Sequence, residues 1–161
     1  MRSMQEAAMN KPEAPDSQPD EPAAEGLDYA LDGQIGFVIR RAHQRTTAIF
    51  QEHFPDLTPT QWAVLAKLHE TGPLSQNLVG RMTAMDAATM QGVVRRLMER
   101  DLVTRTSDPN DRRRLTLCLT QLGRETVAGH AEKALAVSRE TLSPLSPRER
   151  ETLLKLLLRL T

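Results

Sequence analysis

Arg112, Arg113 and Arg114 stand together just past the turn signal Ser107-Asp108-Pro109-Asn110-Asp111, and Arg105 lies shortly before it. Guanidinium groups gathered at the tip of a hairpin can follow the phosphates of a duplex, and one can enter a narrow minor groove, where the negative potential is strongest. Upstream, Thr89, Gln91, Arg95 and Arg96 supply a hydroxyl, an amide and two guanidinium groups at helical spacing. Such groups meet base edges and phosphates. Ser75 and Gln76 add a hydroxyl and an amide at another helix start, suited to positioning on phosphate. Asp111 is placed to orient a neighbouring arginine, or Arg96, through a charge-assisted hydrogen bond. Catalytic chemistry has no comparable signal. There is no phosphate-cradling glycine loop, no metal-ligand pair at helical spacing and no nucleophile motif, and His43, His53, His69 and His130 are scattered. The residues point to a binder of double-stranded DNA that is not an enzyme and needs no cofactor or metal.

Elements of the right kind surround these groups. Asp86 is a good N-cap, since its carboxylate accepts from the free N–H groups of a first turn and complements the helix dipole. From there to Arg100, Met90, Val93, Val94 and Leu97 fall on one stripe at about 100° per residue, which makes them the buried face. Ala88, Gln91, Gly92 and Arg95 lie opposite, with no acid expected on that side after the cap. The competing reading is a plain core helix with a small outer face. Leu102–Thr104 reads as a strand, and Leu115, Leu117 and Leu119 alternate with Arg114, Thr116 and Cys118 as in a half-buried second strand.

The remainder is helical apart from its start. Residues 1–26 are acidic and rich in Pro, Glu, Asp and Gln, a composition that cannot offset the entropy of ordering and predicts a disordered tail. Residues 27–56 hold a long first helix to about Phe54, with Ile35, Val38, Ile39, Ala42, Thr46, Ile49 and Phe50 on one stripe. Thr58-Pro59-Thr60-Gln61 is a capping box with proline at the first helical position, opening a helix to about Glu70 that carries Trp62, Val64, Leu65 and Leu68. Gly72-Pro73 ends it. Ser75 caps the next, whose Leu78, Val79 and Met82 are expected to support the recognition helix. Residues 57–120 thus form a DNA-binding unit, and 121–161 hold two more helices. The last, opened by Ser146-Pro147-Arg148-Glu149, is leucine-rich on more than one face, so a second copy of the chain is expected to cover it together with the start of the first helix.

Composition agrees with one domain and a tail: 161 residues, 39% hydrophobic, formally neutral. Neutrality conceals segregation, because the tail is acidic and the hairpin basic. Only 3% of residues are aromatic, which disfavours stacking platforms for single strands or RNA. One cysteine excludes an internal disulfide framework, no apolar run has the length of a membrane span, and the cytoplasm is the expected compartment.

Leu57-Thr58-Pro59-Thr60-Gln61-Trp62-Ala63-Val64-Leu65, Gly72-Pro73-Leu74-Ser75-Gln76, the run Asp86 to Val103, Asp108-Pro109-Asn110-Asp111-Arg112-Arg113 and Leu119-Thr120 resemble the MarR family of bacterial transcription regulators, in order and in spacing. The resemblance implies a mainly α fold with a small β wing: a winged helix-turn-helix joined to a helical dimerisation region. It also implies a homodimer on a palindromic operator, usually a repressor, released by a small aromatic anion. Gly36 to Arg45 followed by the Trp62 helix is similar to members that govern catabolism of hydroxylated aromatic or heteroaromatic acids, hydroxynicotinate among them. That narrower likeness gives Arg40, His43, Arg45 and Trp62 as effector-binding residues. The chain departs from many members in carrying Ala87-Ala88 where they carry Arg-Ser, Gly92 where they carry a polar residue, and Asp101 in place of a glycine after the recognition helix, where aspartate can still adopt a left-handed C-cap at some cost. Two alternatives stand beside the repressor: a helix-turn-helix protein acting through protein contacts, and a redox-responsive regulator using Cys118, whose strand position favours a structural role.

Overall fold

The computed structural model describes residues 29–107 and 115–161, and among the described residues six α-helices and three short strands follow one another in chain order. The expected tail (1–26) and the arginine-rich tip, with Asp111, Arg112, Arg113 and Arg114, lie outside the described residues. The helices are α1 (Ile35–His53), α2 (Pro59–Thr71), α3 (Gln76–Met82), α4 (Ala87–Glu99), α5 (Gln121–Thr141) and α6 (Pro147–Leu157). The strands β1 (Leu74–Ser75), β2 (Val103–Ser107) and β3 (Leu115–Leu119) form one antiparallel sheet in the order β1-β3-β2.

Local chemistry sets most boundaries. Thr58 and Gln61 close the capping box of α2 reciprocally: the Gln61 N–H donates to Thr58 Oγ1 (3.2 Å) and the Thr58 N–H to Gln61 Oε1 (3.0 Å). Glu149 does similar work for α6, its carboxylate accepting from the Ser146 N–H (2.8 Å) and hydroxyl (2.6 Å). The first helix starts later than expected. Gln34 is extended (φ −82°, ψ 127°) and α1 begins at Ile35, after a turn of 3-10 helix at Leu31–Gly33. Glycines at 33 and 36 weaken helix propensity in this stretch. Strand β1 is too short to leave a sequence signal, and it pairs Leu74 with Leu117 on the free side of β3. The hairpin pattern is also less regular than strict alternation: Thr116 is buried while Leu115 is 58% exposed, so Leu115 stands outside the core. Met82, expected to support the recognition helix, is exposed as well.

One core joins the elements. Phe50, Phe54, Leu57, Val64, Leu65 and Leu68 from the first two helices meet Met90, Val94 and Leu97 of α4, Leu102 and Val103, Leu117 and Leu119, and Val127 and Val137 of α5. Burial of each large aliphatic or aromatic side chain contributes about 1.5–3 kcal/mol. Of the stripe expected on α1, only Ile49 and Phe50 are buried; Ile35, at 66%, Val38 and Ile39 are exposed in the single chain. Likewise Leu122 and Leu135 of α5, and every residue of α6 from Leu153 to Leu157, face outward.

Two helix ends are closed by the same motif. After α3, Ala84 is left-handed (φ 52°), with Ala84 N–H to Arg81 carbonyl (3.3 Å) and Met85 N–H to Gly80 carbonyl (2.9 Å). After α4, Asp101 is left-handed (φ 55°), with Asp101 N–H to Met98 carbonyl (3.0 Å) and Leu102 N–H to Leu97 carbonyl (2.9 Å). Both are Schellman closures, and Asp101 adopts the left-handed C-cap open to it in place of glycine. A non-glycine residue in this conformation costs about 1–2 kcal/mol. Gly123 carries the opposite constraint, since a Cβ there would stand 2.1 Å from the Leu102 carbonyl oxygen. Ala84→Gly is therefore expected to raise stability by about 0.5–1 kcal/mol after its entropy cost, and Gly123→Ala to lower it by about 2 kcal/mol or more, both read by urea denaturation. A silent Gly123→Ala would show that α5 does not press on Leu102 in solution.

Candidate nucleic-acid interface and effector cleft

Helix α4 presents its surface as the stripe demands. Met90, Val93, Val94 and Leu97 are buried, while Ala88, Gln91, Arg95 and Arg96 are exposed. A Cβ on Gly92 would meet nothing within 4 Å, so this face is low and open. Asp86 caps the helix twice over, accepting from the Thr89 N–H (2.9 Å) and hydroxyl (2.8 Å). These bonds, the backbone one first, hold the Asp86 carboxyl below its ordinary value. Thr89 thus spends its hydroxyl proton on the cap. Toward DNA it can only accept.

One expectation is corrected here. The outward face does carry an acid after the cap, because Glu99 falls four residues beyond Arg95 and its Oε1 lies 3.7 Å from Arg95 Nε. The pair is exposed at both ends, and Glu99 is the final residue of α4.

Gln76, the first residue of α3, shares a cleft with Ala87 of α4, and Ser75 precedes it as the N-cap. The Ser75 hydroxyl accepts from the Leu78 N–H (3.4 Å), so it is a cap first. Gln76 Oε1 accepts from Arg105 Nη2 (3.0 Å), tying α3 to β2 and leaving the Gln76 amide N–H groups for other partners. Arg105 had read as a group on the way up the hairpin; its role as a brace was not visible from spacing. Between α3 and α4 lies an open cleft of about 330 Å³ lined by Gln76, Asn77, Gly80, Arg81, Met85, Ala87 and Met90.

The expected effector residues divide. Trp62 is half-buried and belongs to an aromatic junction: Phe54 lies 4.2 Å from Phe50, 5.0 Å from Trp62 and 5.4 Å from His130, centroid to centroid. His130 was missed in the sequence because nothing local marks it; α5 delivers it across the fold, with Nδ1 2.8 Å from the Thr126 carbonyl oxygen. His43 is exposed, one heptad before Phe50 and so on the same line of α1, and Arg40 is about 60° from it in projection. Arg45 lies on a different face. Its Nη2 reaches the Glu140 carbonyl (3.5 Å) near the end of α5, where His53 Nε2 also meets Glu140 Oε2 (3.0 Å). Arg45 with Val38, Arg41 and Ala42 lines a separate open cleft of about 380 Å³. Cys118 is partly buried on β3 beside the Thr106 hydroxyl (3.0 Å).

Residues 56–114 match the MarR family. Over 151 residues the chain is 36% identical to the HTH-type transcriptional repressor NicR of Pseudomonas putida, spanning 92% of this chain and 93% of that repressor. Among solved structures, a probable transcriptional regulator from Pseudomonas aeruginosa is 50% identical with a TM-score of 0.79, over 82% of this chain and 100% of that one. BpsR of Bordetella bronchiseptica, described by its regulation of DNA binding by 6-hydroxynicotinic acid, is 38% identical with a TM-score of 0.78, over 82% and 96% of the two chains.

The double cap on α4 makes a pH prediction. A carboxyl held below its ordinary value contributes stability that is fully present above that value and disappears as pH falls through the lower, folded one. Asp86→Asn keeps a capping oxygen that does not titrate. Thermal melts from neutral pH down to about pH 3 should show a shallower acid loss for Asp86→Asn than for the parent. Parallel losses would remove Asp86 as a contributor.

Proposed function

The chain belongs to the MarR family of transcription regulators, and on that premise we propose that it is a repressor that binds a palindromic operator as a homodimer and is released by a small aromatic acid, with 6-hydroxynicotinic acid the first candidate. It binds and does not catalyse, and it acts in the cytoplasm beside the DNA it reads. The observation carrying most weight is the α4 surface, a low face of Ala88 and Gly92 flanked by exposed Gln91, Arg95 and Arg96 and started by a capped N-terminus.

In this reading α4 enters the major groove, with Gln91 and Arg95 on base edges and Thr89 and Arg96 at the margin. Ser75 and Gln76 position α3 on phosphate, and Arg112, Arg113 and Arg114 carry the hairpin along the backbone, with Asp111 orienting one of them. Two subunits would set two such helices about one DNA turn apart. The apolar side chains left open on α1 and α6 support the pairing: Ile35, Val38 and Ile39 on one and Leu154, Leu156 and Leu158 at the other, the last 73% exposed, are surface that a partner subunit would cover.

For the acid, the aromatic junction offers a wall in Trp62, and His43 with Arg40 the polar partners on the adjoining line of α1. Arg45 is the weaker choice, since its guanidinium serves Glu140. Release then requires that the acid favour a shape in which the two reading helices are wrongly spaced.

Two measurements test this reading. On a duplex from upstream of the coding region, Arg113→Ala should weaken binding and reduce the salt slope by about one per subunit; an unchanged slope would take Arg113 off the DNA. Titration with 6-hydroxynicotinic acid should quench Trp62 and lower operator affinity, with Arg40→Ala losing at least about tenfold in acid affinity and Arg45→Ala much less. Silence of Trp62 across nicotinate- and benzoate-type acids would remove the effector assignment.

A further inference from the structure

The C-terminal end of α4 and the turn between α1 and α2 share a polar contact. Arg100 closes α4, and its Nη1 donates to the main-chain carbonyl of Asp56, in the turn between α1 and α2. Nine positions from Gln91, Arg100 points about 180° away from it in projection, so its guanidinium is not on the outward face.

Both ends of that contact are anchored. On one side the turn begins at Phe54, the C-cap of α1, whose ring is packed among Phe50, Trp62 and His130 and whose carbonyl accepts from the Leu57 N–H (3.4 Å). Asp56 lies two residues from that ring. On the other side, the helix end bearing Arg100 is locked by the left-handed Asp101 and by the Leu102 N–H to Leu97 carbonyl bond. It is further tied to the start of α5, since the Thr120 hydroxyl donates to the Asp101 carbonyl (2.6 Å). A guanidinium bridging two such bodies cannot keep its bond if one shifts and the other does not.

We propose that Arg100 is the positioning residue that couples the aromatic junction to the recognition helix, so that a change at Trp62 and Phe54 moves α4 through the Asp56 carbonyl. This rests on the regulator reading above and adds the route by which an acid at the junction reaches the DNA-binding surface. Coupling of this kind is reciprocal: DNA on α4 must also be felt at Trp62.

Trp62 is the only tryptophan, so its emission reports the junction directly. In the parent protein, saturating amounts of the upstream duplex should change Trp62 emission, and 6-hydroxynicotinic acid should lower duplex affinity by about 5–150-fold. In Arg100→Ala the emission change should vanish and the effect of the acid fall to within about twofold, while the acid-free duplex affinity stays within about threefold of the parent. Arg100→Lys, which keeps one donor, should restore part of both, and this rescue separates coupling from a general loss of fold. If the parent binds duplex and responds while Arg100→Ala responds equally, the proposal falls and the regulator reading stands. If DNA leaves Trp62 unchanged in the parent, the proposal falls too, and a parent that does not bind duplex overturns both.

Discussion

The Leu102 carbonyl is the point on which the two halves of the fold depend. It accepts the Thr120 N–H (3.2 Å), and the start of α5 lies so close over it that position 123 must be glycine. Thr120 completes the joint, its hydroxyl donating to Asp101 and accepting from the Gly123 N–H (2.9 Å). The end of the recognition helix, the base of the hairpin and the first turn of α5 are thereby one rigid piece. That rigidity explains why an unfavourable left-handed aspartate is tolerated at 101: the partners on both sides over-determine its conformation.

Much of this was legible in the sequence because it is locally written. Caps declare themselves within four residues, as at Thr58-Gln61 and Asp86, and the stripe of Met90, Val93, Val94 and Leu97 is periodic enough to orient α4 without its neighbours. What stayed hidden depends on distant pairing. Strand β1 exists only because Leu117 is beside it, Arg105 is a brace only because Gln76 is opposite, and His130 joins Trp62 only once α5 has folded back. Glu99 is a different case: its four-residue spacing from Arg95 is plain in the sequence, and the expectation of an acid-free face was wrong there.

The exposed half of the α1 stripe shows how a correct pattern can have an unexpected outlet. Ile35, Val38, Ile39, Ile49 and Phe50 do lie along one side of the helix, yet only the C-terminal pair reaches the core. The helix outruns what α2 and α5 can cover, and α6 likewise leaves its leucines exposed. Periodicity fixes which side is apolar. It does not say whether that side is covered from within the chain.

The Arg95–Glu99 contact bears on how the α4 surface would read DNA. An ion pair exposed at both ends contributes about 0–1 kcal/mol and is screened by salt, whereas a bidentate guanidinium contact to a guanine is worth about 1–3 kcal/mol of discrimination. On the proposed reading, Arg95 would therefore leave Glu99 for a base at little cost. Ala87, Ala88 and Gly92 contribute no polar groups to compete with it. On the proposed reading, base selection on this helix would concentrate on Gln91 and Arg95, so the operator would be chosen by few contacts and a larger share of affinity would come from phosphates, which carry no sequence.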